Sequence, residues 1–496
     1  MSELELKFQV PAEVVPALRA ELKRRGAQAT SLAALYFDTP DFALGRARIA
    51  LRLRREGTEW VQTLKASGRS AVDRLEHNVP RGRNGSAPPQ LDLDLHRDSE
   101  AGAALRDAIG KPALATLAQR YGTEVTRLAC DLRIDGMVVE AAFDEGTIGA
   151  GSRTERICEL ELERKSGAPD ALFEIAKAWS DYAGLCLNTR SKAMRGVLLA
   201  QGKSRGPAVK ARKPRLPDMV SGPQFLRSVL RSTLDQVLAN ASEIADSKSS
   251  DVDEEHVHQL RVGLRRLRTA LRELGPLDRG VDPRWEAPLA HAFAHLGEAR
   301  DAVTARRVVR PLLEHTQAPL YEWKMAAPPD PVATVHDHAF QATLLDLLHF
   351  ALKHDAGVDS AEAAAEAHAH LLGFLAKRLS RLRNRMRKAA GTFECMPIDE
   401  QHRARKQLKR LRYLAEFAAP LAKGKAAKRF LECLEPAQDA LGRHVDIAVA
   451  MAHFRTAADT DLRAMFAARY LEAYLGNTAR IAQSALREVA QARRFW

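Results

Sequence analysis

The chain has 496 residues, of which 46% are hydrophobic and 28% are charged. This length exceeds one ordinary hydrophobic core and predicts two or three domains. Lys and Arg total 76 against 63 Asp and Glu, a net charge of +13 at pH 7. Such a charge favours a polyanionic partner, namely nucleic acid, an acidic membrane surface or polyphosphate. Five scattered cysteines without a C-x-x-C pair argue against a disulfide scaffold or a zinc site and favour a reducing compartment.

The first 200 residues alternate polar and apolar side chains, which is the period of a β-strand. Alternating runs occupy 2–9, 47–57, 59–68, 73–81 and 156–167. Helical patterns interrupt them at about 11–25, 100–121 and 168–184. Gly, Asn and Pro between the runs favour a mainly antiparallel sheet or barrel. No apolar run reaches the ~20 residues of a membrane-spanning helix, so we expect no membrane insertion.

The polar faces of these strands carry charge of both signs. The bases are Arg48, Arg52, Arg54, Lys65 and Arg74, and the acids are Glu3, Glu5, Glu159, Glu161 and Glu163. A solvent-facing side of the sheet is the simplest alternative for any one strand. Neighbouring acids on one face repel each other unless a cation lies between them, and Mg²⁺ or Mn²⁺ prefers oxygen ligands. Because Arg and Lys suit phosphate oxygens, the residues predict a polar interior that holds a metal–polyphosphate anion.

The pattern changes after residue 200. Residues 201–223 are rich in Pro, Gly and basic residues and are predicted to be a linker. From 224 onward, apolar residues recur at three and four positions, which predicts helices. "HQLRVGLRRLR" at 258–268 resembles "HRARKQLKRLR" at 402–412, and "LGEARD" at 296–301 resembles "LGRHVD" at 441–446. We therefore predict two helical repeats, at about 224–325 and 338–496.

A basic stripe runs along the first of these helices. His258, Arg261, Arg265, Arg268 and Arg272 recur at helical spacing, and leucines recur on a separate face. The leucines are expected to pack the bundle and to leave the basic stripe exposed. "AKRLSRLRNRMRKAA" at 376–390 adds further bases without an acid. Solvated faces usually mix both signs, so the one-sided charge favours an anion site.

The amino-terminal motifs resemble the CYTH family, the triphosphate tunnel metalloenzymes. The resemblance rests on "ELELK" at 3–7, "YFDTPD" at 36–41, "LRLRR" at 51–55, "TLK" at 63–65, "CELELE" at 158–163 and "SKAMRG" at 191–196. It implies an eight-stranded antiparallel tunnel over 1–200 that hydrolyses a triphosphate with Mg²⁺ or Mn²⁺. It implies metal-side carboxylates at Glu3, Glu5, Glu159 and Glu161, with Glu163 and Glu76 as lesser candidates. The implied catalytic cations are Lys7, Arg52, Arg54, Lys65 and Lys192, and the further substrate contacts are Arg48, Arg74 and Arg127.

The repeated helical motifs resemble the CHAD family, the conserved-histidine α-helical domains. The resemblance covers about 224–496 and implies two four-helix bundles related by pseudo-twofold symmetry. It also implies that the basic faces bind inorganic polyphosphate. The implied polyphosphate-binding residues are His258, Arg261, Arg265, Arg268, His402, Arg405, Lys409 and Arg412.

Together these patterns predict an α+β multidomain protein: an amino-terminal antiparallel tunnel with flanking helices, then an all-α region. We expect a triphosphatase that acts on inorganic triphosphate and also binds polyphosphate. The alternatives are a non-catalytic protein of polyphosphate granules, or a hydrolase of a nucleotide or thiamine triphosphate. Nucleic acid is disfavoured because aromatic residues, at 6%, do not interleave with the basic runs. We expect a cytoplasmic location, with polyphosphate granules as a place of association.

Overall fold

The computed structural model describes residues 2–68, 73–83, 87–110, 114, 116–134, 136–316, 329–353, 360–422 and 424–496. The side chains of residues 2, 3, 67, 73, 74, 183 and 298–308 lie outside that description. Contacts divide the chain into two compact units. One contains 1–210, 234–260 and 335–349, and the other contains 211–233, 261–334 and 350–496. The boundary between the two units does not coincide with the predicted linker at 201–223, because parts of the helical region cluster with the amino-terminal region. The limits 1–200 and 224–496 therefore remain a proposal.

The amino-terminal region is an antiparallel sheet with helices on its outside. Its strands are β1 (Ser2–Gln9), β2 (Gln28–Asp38), β3 (Ala50–Glu56), β4 (Glu59–Ser67), β5 (Asp73–Pro80), β6 (Ala118–Ile134), β7 (Met137–Ala150), β8 (Arg153–Ser166) and β9 (Cys186–Leu187). Its helices are α1 (Val15–Arg24), α2 (Ala43–Arg46), α3 (Glu100–Ala108), α4 (Pro169–Ala183) and α5 (Lys192–Ala200). The helix expected over 100–121 is wrong in its bounds, since α3 ends at Ala108 and β6 begins at Ala118, while residues 111–113 and 115 lie outside the described residues. Gly110 and Pro112 follow α3 in the sequence, and both residue types disfavour a helix interior.

The strand order is β5-β4-β3-β2-β6-β7-β8-β1-β9. A further pairing joins β1 to β5, with Glu3 opposite Arg74. Eight strands therefore form a closed ring, and β9 is a short addition to β1. The ring agrees with the predicted eight-stranded antiparallel tunnel.

Strand alternation separates the outside of the ring from its interior. Leu51 and Leu64 are buried in a cluster with Ala101 and Leu105 of α3. Their strand neighbours Arg52, Thr63 and Lys65 point to the opposite face because successive side chains alternate. The hydrophobic pattern thus places the charged faces of β3 and β4 inside the ring.

Helix α5 packs against the apolar part of the sheet next to the charged interior. Tyr36 and Tyr121 stack with ring centroids 4.7 Å apart, in a cluster that includes Ala193 and Val197 of α5. Gly196 lies so close to this stack that a Cβ there would be 2.1 Å from Tyr121 Cδ2. The glycine is required by this close approach.

Gly196→Ala is expected to destabilise the protein by about 1–3 kcal/mol, because the added methyl group overlaps a ring that stacking holds in place. The control is Gly373→Ala in a helix of the second unit, where an added Cβ meets nothing within 4 Å. That change should stabilise by up to about 1 kcal/mol through helix propensity. Urea unfolding followed by circular dichroism measures the free energy of unfolding of both variants. A change of the same sign in the two variants would contradict the packing described.

The remainder of the chain is helical. It contains α6 (Gly222–Ala245), α7 (Glu254–Leu274), α8 (Glu286–Glu314), α9 (Pro331–His336), α10 (His338–Leu352), α11 (Ala361–Thr392), α12 (Ile398–Ala418), α13 (Ala426–Ala457) and α14 (Leu462–Gln491). Helices α11 to α14 form one bundle of the second unit, with α13 and α14 packed through Ile447, Met451, Phe454 and Leu471. By chain order, α10 is the fourth long helix of the first set, so we propose that the second repeat begins at Ala361. Within the described residues, no helix is both long enough and apolar enough to cross a membrane.

Candidate functional site

Three carboxylates meet inside the ring. Asp144 on β7 and Glu159 and Glu161 on β8 have side-chain oxygens that all lie within 4.8 Å of one another. The register pairs Asp144 with Glu159 directly across the two strands. On β8, Leu160 between the two glutamates and Leu162 after them are fully buried on the opposite face, which fixes the inward direction of both glutamates. We call Asp144, Glu159 and Glu161 the carboxylate cluster.

Three cations compensate the carboxylate cluster. Lys7 Nζ lies 3.2 Å from Glu159 Oε1 and 3.1 Å from Glu161 Oε1. Lys192 Nζ lies 2.6 Å from Asp144 Oδ2 and 2.9 Å from Glu161 Oε1, and also pairs with Glu159. Arg127 donates from Nε and Nη2 to Asp144, each at 2.7 Å, and from Nη2 to Glu161 at 2.5 Å. The repulsion expected among the acids is thus relieved by side chains from three other elements.

The network fixes the charge state of its members. Burial disfavours the charged form of Glu161, but Lys192, Lys7 and Arg127 outweigh burial and hold the pKa of Glu161 well below 4.5. Burial likewise opposes the charge of Lys192, but Glu159, Glu161 and Asp144 raise its pKa well above 10.5. Glu161 and Asp144, whose pKa values are lowered, are therefore anionic, and Lys7 and Lys192, whose pKa values are raised, are cationic at neutral pH.

This charge state predicts a loss of stability in acid. The pKa of Glu161 is lower in the folded chain than in the unfolded one, so the unfolded state binds more protons between the two values. Its contribution is complete above its usual pKa of 4.5 and disappears as pH falls through the lowered value. Urea unfolding at several pH values below about 5 should show that the free energy of unfolding falls more steeply with decreasing pH for wild type than for Glu161→Gln. Equal slopes would contradict the ion pairs.

A second group of cations faces the same interior from β3 and β4. Arg52 Nη1 donates to the Tyr36 hydroxyl at 3.2 Å, Arg54 pairs with Glu56, and Lys65 pairs with Glu76. The Arg52 guanidinium, followed by burial, lowers the pKa of Arg54. The Nε atoms of Arg52 and Arg54 are buried and make no hydrogen bond within the described part of the chain. Two close guanidiniums with unused buried donors are suited to an anion with several oxygens.

The structure brings most of the predicted tunnel residues together, but not all. Glu5 lies beside Lys7, with its carboxylate 4.0 Å from Nζ, and is outside the carboxylate cluster. Glu163 lies opposite Glu5 and pairs with Lys165 at 3.2 Å instead. Arg48 is exposed before β3 begins, in a left-handed conformation with φ of 58°, apart from Arg52 and Arg54. The side chains of Glu3 and Arg74 lie outside the described residues.

Two residues of the site were not predicted. Asp144 is fully buried in the cluster, and Arg195 Nη1 lies 3.3 Å from Glu159 Oε2. Asp144 stands in "AAFDEGTIG", where small residues on the inward face weaken the alternation that marks a charged face. The sequence feature that could have identified Asp144 is a polar residue two positions after Ala142, on the same strand face. The strand register then places Asp144 opposite Arg127. Arg195 follows Lys192 by three residues, so both lie on the same side of α5.

The carboxylate cluster fits a hard divalent cation. Its three donors are all carboxylate oxygens, the ligand type that Mg²⁺ and Mn²⁺ prefer, and their mutual distances allow them to share one ion. Lys192 contacts all three acids, so an ion bound there would compete with its ammonium group. Of the four predicted glutamate ligands, Glu159 and Glu161 belong to this cluster, Glu5 does not, and the side chain of Glu3 lies outside the described residues.

In the helical region, the basic stripe of α7 surrounds one aromatic ring. The guanidinium carbons of Arg261, Arg265 and Arg268 lie 5.1, 5.0 and 5.6 Å from the centroid of Phe293 on α8. Arg268 also donates to Glu286 at 2.6 Å. The expectation of an exposed stripe is wrong at Arg261, which is 5% exposed and donates to the Leu296 carbonyl at 2.8 Å. Arg265 and Arg268 are half-buried.

The second repeat reproduces this arrangement. Arg405 on α12 approaches Gly442 on α13 as Arg261 approaches Gly297 on α8, since a Cβ at each glycine would lie within 4 Å of the facing guanidinium. Arg405 Nη2 also lies 3.4 Å from Asp446, and Arg412 donates to Glu416 and Gln438. His258, His402 and Lys409 are half-buried on the same helices. The structure thus supports the internal repeat and shows that its arginines partly stabilise the bundles.

A separate basic groove runs along α11. Its cavity measures about 530 Å³ and is lined by Lys377, Ser380, Arg381, Asn384, Arg385 and Lys388. These positions recur every three or four residues and therefore lie on one helix face. No acidic side chain lines this groove among the described residues. It is the one-sided basic run expected from 376–390.

Comparison with known families agrees with both halves. The CYTH domain family model matches residues 1–197, and the CHAD domain family model matches residues 228–455. The chain joins a CYTH domain to a CHAD domain. The CYTH domain contains the carboxylate cluster and its cations, and the CHAD domain contains the basic helices α7 and α12.

Individual proteins are similar to parts of this chain. An inorganic triphosphatase of Haemophilus influenzae is 28% identical over 207 residues, which are 40% of this chain and 55% of the relative. The chain thus matches about half the length of that protein. A crystal structure of the CHAD domain of Ricinus communis matches with a TM-score of 0.41 at 22% identity, covering 59% of this chain and 99% of that one. A putative adenylyl cyclase of Hippeastrum, described as having a dominant triphosphatase activity, matches with a TM-score of 0.29 at 19% identity over 40% of this chain and 96% of that one.

Proposed function

We propose that the CYTH domain hydrolyses inorganic triphosphate with Mg²⁺ or Mn²⁺. The observation that carries this proposal is the meeting of Asp144, Glu159 and Glu161 with Lys7, Lys192 and Arg127 in one interior. Acids that can share a divalent cation lie beside bases that can hold phosphate oxygens. The name of the Haemophilus influenzae relative points to the same substrate.

In this proposal the acidic residues would hold the metal ion and the basic residues would bind phosphate oxygens. A divalent ion held by the carboxylate cluster would polarise phosphate oxygens and activate water. Arg52, Arg54 and Lys65 would bind one end of the triphosphate, since their side chains face the interior from β3 and β4. Lys7, Lys192 and Arg127 would neutralise charge on the transferred phosphoryl group and on the leaving pyrophosphate. Glu5 lies beside Lys7 and would orient its ammonium group.

We also propose that the CHAD domain binds inorganic polyphosphate. The half-buried Arg265, Arg268, Lys409 and Arg412 lie on equivalent helices of the two repeats, and the α11 groove adds four bases. Arg261 and Arg405 pack beside glycines and would act by supporting these helices as well as by their charge. A flexible polyanion can contact many of these basic side chains at once, and polyphosphate has no nucleobase or sugar that the surface would have to accommodate. We expect the protein to be cytoplasmic, and its five free cysteines are compatible with a reducing compartment. We also expect it to associate with polyphosphate granules.

A substrate panel tests the catalytic proposal. Phosphate release is measured with tripolyphosphate, ATP, thiamine triphosphate and long-chain polyphosphate, each with Mg²⁺, with Mn²⁺ and with excess chelator. We expect the highest kcat/KM for tripolyphosphate and no activity with chelator. Faster hydrolysis of ATP or thiamine triphosphate would favour an organic triphosphate as the substrate. Absence of hydrolysis with every compound would favour a binding protein.

A further inference from the structure

A short segment before Lys192 is held by a helix of the CHAD domain. Residues 188–190, which we call the anchoring segment, connect β9 to Ser191, whose hydroxyl caps α5 by accepting from Met194 N. The segment lies in the same compact unit as residues 234–260, which include the carboxyl-terminal half of α6. The tunnel's Lys192 therefore follows directly on a segment that contacts the helical region.

The contacts of the anchoring segment are polar and specific. Arg190 Nη1 donates to Asp246 at 2.6 Å, and Asn188 Nδ2 lies 3.1 Å from both oxygens of the same carboxylate. The backbone N–H of Thr189 donates to Ser242 Oγ at 2.9 Å. All three residues of the segment are thus tied to two positions at the end of α6.

The contact is also largely buried. Arg190 is 5% exposed and Asn188 is 8% exposed. Arg190 Nε lies 3.4 Å from Glu243, which is 4% exposed and also accepts from Gly206 N. Removal of one partner of a buried ion pair leaves a charge that water cannot easily solvate, so this contact is difficult to replace.

The anchoring segment has a direct connection to the catalytic interior at each end. Its backbone N–H at Asn188 donates to the Lys7 carbonyl at 2.8 Å. At the other end, Lys192 is two residues from Arg190, and its ammonium group contacts all three acids of the carboxylate cluster. A shift of the segment would therefore move the ammonium group relative to the acids.

We propose that Arg190, held by Asp246 of the CHAD domain, is a positioning residue that sets Lys192 in the tunnel. The helical domain then completes the catalytic site of the CYTH domain in addition to binding its own ligand. This inference rests on the proposed triphosphatase activity.

The test compares Arg190→Ala, Asp246→Ala and the double variant in the full chain. Each single change should lower kcat for tripolyphosphate by about tenfold to a hundredfold, with a smaller effect on KM, because a misplaced catalytic group costs rate on that order. The double variant should be clearly faster than the product of the two single effects predicts, since both changes remove the shared Arg190–Asp246 pair. Arg190→Lys should recover part of the rate by keeping the charge.

The matched control is another ion pair between the two domains within the same compact unit. Lys177 on α4 pairs with Asp346 on α10, away from Lys192 in the sequence and without a contact to the carboxylate cluster. Lys177→Ala and Asp346→Ala should leave kcat unchanged. If these variants slow the enzyme as much as Arg190→Ala, the effect is general to domain contact and the proposal is overturned.

Hydrogen exchange separates failure of this inference from failure of the proposed function. Amides of 191–196 should exchange faster in Arg190→Ala than in wild type and in Lys177→Ala, whether or not the protein hydrolyses tripolyphosphate. Unchanged exchange in folded Arg190→Ala would overturn the positioning role. An inactive wild type with faster exchange in the variant would overturn the proposed function and support the anchoring of α5.

Discussion

Glu161→Gln is expected to lower kcat/KM for tripolyphosphate by about a thousandfold or more, with the fold retained. Glu161 belongs to the carboxylate cluster and contacts Lys7, Lys192 and Arg127 at once. The amide keeps the shape but removes the charge that a divalent cation needs, and it leaves the three cations misplaced for phosphate. Phosphate release at saturating Mg²⁺, with circular dichroism as the check of folding, measures the effect.

The matched control lies two residues further along the same strand face. Glu163 pairs with Lys165 and is not part of the carboxylate cluster. Glu163→Gln should change kcat/KM by no more than a few fold. Equal losses in the two variants would show that the whole acidic face contributes a general field, and that the three-acid metal site is wrong.

Reversal of one base in each CHAD repeat is expected to weaken polyphosphate binding by about a hundredfold at moderate salt. The variant combines Arg265→Glu with Lys409→Glu, two equivalent half-buried positions. Arg261 is avoided because it is 5% exposed, and a buried carboxylate there would destabilise the bundle. The slope of log affinity against log salt should fall in magnitude by about two.

Titration of the full chain with labelled long-chain polyphosphate measures this effect. A Glu161→Gln background keeps the tunnel from hydrolysing the probe. The control variant combines Arg463→Glu with Arg469→Glu, two exposed bases of α14 that give the same change in net charge. It should bind nearly as tightly as its parent. If duplex DNA displaces polyphosphate at equal phosphate concentration, nucleic acid is the ligand instead.

The sequence alone determined which residues lie on charged strand faces. Alternation in "CELELE" requires Glu159, Glu161 and Glu163 to share one side of β8 and the leucines to share the other. That the acidic side faces an interior follows only from the pairing of β1 with β5, which closes the ring. The leucine spacing of 260–274 similarly determined the packed face of α7. Such patterns are local, because the periods of strand and helix fix the direction of each side chain.

Only the tertiary structure decided which charges meet. Glu161 joins a metal-competent cluster and Glu163 does not, because the register places Glu161 beside Lys7 and Asp144 beside Arg127. Asp144 was missed because its partners Arg127, Glu159 and Glu161 are distant in the chain and are brought to it by strand pairing. Arg261 is buried because Gly297 on the next helix leaves room for its guanidinium, whereas helix period alone placed it on an exposed stripe. Side-chain direction follows from local backbone geometry, whereas burial and ion pairing depend on residues that only the folded chain brings into contact.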